Sequence, residues 1–335
     1  HAIGAGITLV EPQLVRAEIS RAVRVVPEPG AFVPRAIVVC RGIGIEIWEH
    51  NLPEPWAEIQ EAADAQGADP TLVAWVRAAQ SLLLLRDGDF GASAHMRAQA
   101  VAAFEVSGNR RQACTQRMNE GAAQMLVGRY AFAEQQLREA SAAAESLGLR
   151  QTAAWALHNL GFVLHRQGNH AEGLELERTA LARDVEQQNL ILRFVSHLYL
   201  AEMLFDGGSL ELARAEAEAA VGLSALRPQG RGQAHAWAAR IHAALGAGSD
   251  AVRFAEIAMV ELDEHGNEGS DSVFHLALAE SLDAVGRHEE ATAAARLGAH
   301  KLSETADKIK DPEWRQSFLE NVPEHAALLA RAFPG

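Results

Sequence analysis

Apolar and polar positions along this chain fall into long stretches with apolar side chains at helical spacing, separated by short polar or glycine-bearing breaks. The segment 154–173, AWALHNLGFVLHRQGNHAEG, displays the unit: a helical pattern, a short polar turn at Gly168, and the start of a second helical pattern. Recurrence of this unit predicts helix hairpins over residues 71–107, 110–147, 150–187, 190–226, 230–265 and 269–305. Stop signals separate them: Gly108-Asn109, Gly148, Pro228 with Gly230, and Gly266-Asn267. No stretch shows sustained strand-type alternation, so the expected chain is almost wholly helical.

The hairpin turns repeat at a fixed interval. Gly88, Gly128, Gly168 and Gly208 stand forty residues apart, followed by Gly246 or Gly248 and then Gly286. Such a period marks a stacked-repeat solenoid. Three columns of small residues keep the same register when Gly246 is taken as the fifth turn. Seven residues before each turn glycine stand Ser81, Gly121, Gly161, Ala201, Ala239 and Ala279; five after it stand Ser93, Ala133, Gly173, Ala213, Ala251 and Ala291. Twelve after it stand Ala100, Ala140, Ala180, Ala220, Ala258 and Gly298. Helices of one hairpin approach to about 8–10 Å only where neither presents a bulky side chain, which these columns provide.

Small residues at these offsets, with a leucine just before the first column (Leu160, Leu200, Leu278), resemble the tetratricopeptide repeat. The resemblance implies an all-α fold, a right-handed α-α superhelix (TPR-like solenoid) of antiparallel helix hairpins. The family unit is about 34 residues, so a forty-residue unit resembles the long-repeat solenoids of bacterial signalling ATPases and transcription activators. One departure is clear: where the family places aromatics in the second helix, this chain has Arg97, Leu137, Glu177, Ala217, Ala255 and Ala295.

Counting back forty from Gly88 reaches Trp48, between helical patterns at 34–50 and 53–66, so degenerate repeats are expected over 1–68. Residues 11–26 then read as the second helix of a still earlier hairpin. Its incomplete partner predicts that the chain begins inside a longer array, with an apolar N-terminal edge open to homo-oligomer formation. The six regular hairpins span 69–306. A capping helix is expected within 307–335, with Asp311 at the cap, Pro312 at the first helical position, and Trp314, Phe318 and Leu319 on one face. This ending resembles the C-terminal tails of tetratricopeptide arrays in multidomain bacterial signalling proteins, which carry a serine/threonine kinase or a nucleotide-binding oligomerisation ATPase.

Charge narrows the partners. The 30 basic and 44 acidic residues give a net charge of −14, which opposes binding to nucleic acid or an anionic membrane. No apolar run reaches the roughly 20 residues of a membrane span, and Cys40 and Cys114 fall in different repeats, so a reducing, cytoplasmic setting is expected.

No catalytic constellation is evident. A phosphate-binding loop with its lysine, the kinase signatures, a nucleophile elbow and a zinc-protease His-Glu pair are all missing from the sequence. His158 and His165, like His235 and His242, stand seven residues apart and share a helix face, but two turns span about 10 Å, too far to hold one metal ion. No cofactor, metal or enzymatic activity is therefore expected. The resemblance places the ligand groove on the first helix of each hairpin, which assigns Trp75, Met118, Asn119, His158, Asn159, Phe162, His165, Arg166, Leu198, Glu202, Phe205, Trp237 and Arg240 to it. Aromatic and methionine side chains would supply apolar contact, and arginine, histidine and asparagine would fix polar groups of a peptide. The expected function is a noncatalytic protein- or peptide-binding scaffold or sensor regulating an attached or associated signalling effector. The alternative is a small-molecule or signal-peptide sensor that changes superhelix curvature on binding.

Overall fold

The computed structural model describes residues 32–45, 55–267 and 269–334. The expected helix at 11–26 and the N-terminal edge lie outside the described residues. Sixteen α-helices and no strand occur among the described residues. α1 (Phe32–Ile45) and α2 (Trp56–Asp64) precede a regular series: α3 (Pro70–Arg86), α4 (Phe90–Val106), α5 (Arg110–Leu126), α6 (Tyr130–Ser146), α7 (Arg150–Arg166), α8 (His170–Glu186) and α9 (Leu190–Asp206). α10 (Leu210–Leu223), α11 (Pro228–Ala244), α12 (Gly248–His265), α13 (Ser272–Ala284) and α14 (His288–Lys308) continue it. The short α15 (Pro312–Glu320) and α16 (Pro323–Ala332) end it. The chain forms two compact units, His1–Asn119 and Glu120–Gly335.

The regularity comes from one turn used repeatedly. At the end of α3 the Gly88 amide donates to the Leu85 carbonyl at 3.1 Å and the Asp89 amide to the Leu84 carbonyl at 2.9 Å. Those two bonds define a Schellman stop, whose glycine must take a left-handed backbone. The same pair recurs at Gly108/Asn109, Gly128/Arg129, Gly148/Leu149, Gly168/Asn169, Gln188/Asn189, Gly208/Ser209, Gly246/Ala247 and Gly286/Arg287. Hence α3 to α9 each run 17 residues and start twenty residues apart. The underlying step is one helix plus one turn, and the forty-residue hairpin is two such steps.

One stop lacks its glycine. Gln188 holds φ 55° and is the one non-glycine with positive φ among the described residues. A side chain in that region costs about 1–2 kcal/mol, so Gln188→Gly is expected to raise stability by about 0.5–1 kcal/mol. Urea denaturation checks this; an unchanged or lowered midpoint would show that the glutamine side chain contributes to the fold.

Within each hairpin the small columns are the contact line. In the first regular hairpin Ser93 Oγ donates to the Ser81 carbonyl at 2.8 Å. In the third, a Cβ built on Gly173 would lie 2.6 Å from the Gly161 carbonyl oxygen, so the backbones of α7 and α8 touch directly. Between hairpins of the second unit, apolar side chains fill the gaps: Phe194, Leu198, Trp237, Phe274 and Ala255 share one core. In the first unit Val39, Cys40, Trp56, Ile59, Leu72 and Val76 share another. Cys40 and Cys114 are buried on α1 and α5.

The C-terminal helices pack on the last hairpin. Asp311 caps α15 by accepting from the Glu313 and Trp314 amides at 2.9 and 3.1 Å. Leu328 and Ala332 of α16 join Leu276, Ala279 and Ala299 of α13 and α14 in a core.

Candidate functional site

In the second unit, the first helices α7, α9, α11 and α13 place like positions of adjacent repeats against one another. Nine residues before the turn glycine, Tyr199 donates its hydroxyl to Asn159 Oδ1 at 3.3 Å. Six before it, the Phe162 ring lies 4.6 Å from the Tyr199 ring. The guanidinium of Arg166 sits 4.9 Å over Phe162, and it pairs with Glu202 and, at 3.5 Å, with Asp206. One repeat further, Phe205 and Trp237 meet edge to face at 5.7 Å. Arg240 covers both rings at 4.9 and 4.5 Å and pairs with Glu280 at 2.8 Å. The result is an array of arginine on aromatic, tied to carboxylates of the next repeat. Cation–π contacts and charge-assisted hydrogen bonds of this kind hold the side chains in fixed rotamers.

The carboxylates respond to this setting. Burial alone would raise the Asp206 pKa, but the hydrogen bond from His165 and the charges of Arg166, His165 and Arg240 outweigh it and hold the group below its ordinary value. Burial pushes the nearby Tyr130 hydroxyl up to about 12, with Arg166 opposing and Glu324 and Asp206 adding to the rise. Tyr130 therefore acts as a neutral phenol.

A second polar group lies inside the α7–α8 hairpin. His158 Nδ1 meets Glu177 Oε1 at 2.7 Å and Nε2 meets Asp184 Oδ2 at 2.8 Å, all three buried. Ser196 Oγ of α9 lies 3.2 Å from the same Nδ1. Burial alone would lower the His158 pKa; the Glu177 charge and the hydrogen bonds of Asp184 and Glu177 raise it instead to about 9. Burial also raises Glu177 against the opposing pull of His158. The imidazole is thus a cation at neutral pH, clamped between two carboxyl groups. One edge of this cluster reaches a cleft of about 310 Å³ between α6, α7 and α8, lined by His158 and Asp184 together with Glu145, Arg150, Arg183 and Gln187.

The sequence-assigned residues divide accordingly. Asn159, Phe162, Arg166, Glu202, Phe205, Trp237 and Arg240 come together in the array. Leu198 belongs to the core that holds Trp237, and His165 bonds Asp206 at 3.2 Å. His158 faces the hairpin interior. In the first unit Trp75 meets Phe104 edge to face at 5.4 Å, Met118 is buried, and Asn119 is half-buried. Tyr199, Asp206 and Glu280 complete the array and were not singled out by sequence. Each stands forty residues after an assigned residue, Asn159, Arg166 and Arg240, so reading those columns one repeat further would have found them. No helix among the described residues is long and apolar enough to cross a membrane.

No protein-family model matches the sequence, and no curated protein matches it. Solved structures do resemble it. A Rap protein complexed with competence and sporulation factor is 11% identical, with 96% of this chain and 99% of that chain covered and a TM-score of 0.65. NprR in complex with its cognate peptide NprX is 10% identical over 98% and 95%, with a TM-score of 0.69. The Rap conjugation gene regulator of plasmid pLS20, in complex with the Phr* peptide, is 14% identical over 95% and 91%, with a TM-score of 0.60. At such identities the likeness establishes the fold, which is the expected all-α, TPR-like superhelical repeat.

Proposed function

We propose that this chain is a noncatalytic peptide-binding regulator whose first-helix groove receives a peptide or protein segment and passes the event to an attached or associated signalling effector. The observation that carries this reading is the array of aromatic rings, arginines and carboxylates repeated through α7, α9, α11 and α13. Asn159, Phe162, Glu202, Trp237 and Arg240 are buried, so a peptide would meet the array through the half-buried Arg166, Tyr199, Phe205 and Glu280, whose rings anchor side chains and whose charged groups meet backbone and charged groups. The three similar structures, each recorded with a peptide or a signalling factor, support the same ligand class. Within the first unit, Trp75, Met118 and Asn119 are proposed as partner-binding residues by the same register, and in the second unit His158 supports the groove from beneath. The effector is proposed as a kinase or a nucleotide-binding ATPase on the strength of the C-terminal ending alone, and the setting as cytoplasmic. Nucleic acid and anionic membrane are disfavoured partners on charge.

The signal-peptide sensor reading with two curvatures is favoured by one observation: the C-terminal helices reach back from the last hairpin to Arg166 and Gly128.

The test uses a twelve-residue peptide selected from a randomised library on the full chain. Phe162→Leu and Arg240→Gln are expected to weaken its binding by at least about tenfold, the scale of a central anchor, with circular dichroism unchanged. Unaltered affinity in both variants would place the binding surface elsewhere.

A further inference from the structure

We propose that α15 and α16 form a clasp over the first-helix face, a resident occupant that a peptide ligand must open. This rests on the groove reading above and adds its regulation.

Four contacts define the clasp, all within the second unit. Arg166 Nη2 donates to Glu324 Oε1 of α16 at 2.7 Å, across 158 residues of sequence. Asn321 Nδ2 donates to the Gly128 carbonyl at 3.3 Å, across 193 residues. Arg129 lies 4.4 Å over the Trp314 ring. The turn at Gly128 also packs so closely on α15 that a Cβ built there would be 2.6 Å from the Ser317 carbonyl oxygen. The sister turns at Gly168, Gly208, Gly246 and Gly286 face nothing within 4 Å. Of these five turn glycines, only Gly128 has another element directly against it.

The clasp conceals what the groove needs. Arg166 and Glu202 side chains are each only 4% exposed, and the Arg166 Nε is buried without a hydrogen-bond partner among the described residues. Of the three carboxylates on Arg166, those of Glu202 and Asp206 come from the next repeat and only that of Glu324 comes from a remote segment, which makes Glu324 the internal substitute for a ligand group. On the groove side of the clasp stand two hydrogen bonds, one cation–π contact and the backbone packing at Gly128. Contacts on its other side are apolar, through Leu328 and Ala332 onto α13 and α14. In the proposed opening the groove side releases while the apolar side holds, and this uncovers Arg166 beside Phe162. A ligand that displaces Glu324 places a carboxylate or backbone carbonyl beside Arg166, which keeps its pairs with Glu202 and Asp206.

Hydrogen exchange on the full chain tests the clasp, using Gly128→Ala, the matched control Gly168→Ala, and Glu324→Gln. Both replaced glycines have left-handed backbones, with φ 73° and 89°, so backbone strain is common to the pair and only Gly128 reports the contact with Ser317. Exchange across residues 312–320 is expected to quicken by about tenfold or more in Gly128→Ala and Glu324→Gln and to stay unchanged in Gly168→Ala. The library peptide is expected to bind those two variants at least about tenfold tighter than the parent chain, because opening no longer draws on ligand affinity. Equal exchange in Gly128→Ala and Gly168→Ala, with Glu324→Gln unchanged, overturns the clasp. Quickened exchange with unchanged affinity overturns its role as a gate. A library that yields no binder counts against the groove reading and the gate together, while the exchange comparison still decides whether the clasp exists.

Discussion

Gly173→Ala is expected to destabilise the chain by about 1–3 kcal/mol, while the same substitution at Gly222 stabilises it by about 0.5–1 kcal/mol. Both glycines lie in helices, where alanine has the better intrinsic propensity. Their surroundings reverse the sign. A Cβ on Gly173 meets the Gly161 carbonyl oxygen at 2.6 Å and the His165 backbone nitrogen at 3.0 Å. Both are backbone atoms, so no side chain can swing aside, and α7 and α8 must part along the line that forms the hairpin. Gly222, in α10, meets nothing within 4 Å, and there only propensity counts. Urea unfolding of the two variants checks the contrast. A stable Gly173→Ala chain would show that the small column is not the contact line of the hairpin.

His158→Ala is expected to cost about 3–5 kcal/mol, the scale for stranding buried charge by removing one partner. The loss leaves Glu177 and Asp184, both buried, without the imidazolium that compensates them. The pH dependence follows from the direction of the shifts. A histidine whose folded pKa is raised to about 9 from 6.5 contributes stability that is full below the unfolded value and disappears as pH rises through about 9. Glu177, raised by burial, acts in the same sense, since the folded state again holds its proton more tightly. The parent chain should therefore lose stability between about pH 7 and 9.5, and His158→Ala should be flatter across that window. A variant with the parent's slope would mean that other groups carry the titration.

These two sites also mark where the sequence was readable. Fixed spacing exposed the solenoid: turn glycines at forty-residue intervals and small columns at constant offsets are local features that survive without any knowledge of tertiary contacts. The finer twenty-residue step was masked, because Gln188 fills one glycine position and a 3₁₀ turn at Ser224–Leu226, followed by Pro228, replaces another. Glu177 stood out in sequence only as a missing aromatic. Its partner His158 is 19 residues away and Asp184 a further seven, a triangle that emerges only once α7 and α8 are packed.

The groove was partly legible for the same reason. Register alone gathers Phe162, Arg166, Glu202, Trp237 and Arg240, because like positions of neighbouring repeats must meet in a stack. Side-chain direction is a different matter. His158 shares its helix with Phe162 yet turns inward to α8. The return of Glu324 and Asn321 to Arg166 and Gly128 spans more than half of the second unit, and no periodicity connects them.

The most direct test of peptide binding on the first-helix face is a hydrogen-exchange footprint of the library peptide on the full chain. The account predicts slowed exchange concentrated in α7, α9 and α11, around Phe162, Tyr199 and Trp237. Protection confined to the second helices α8, α10 and α12, or spread evenly over the chain, would contradict it.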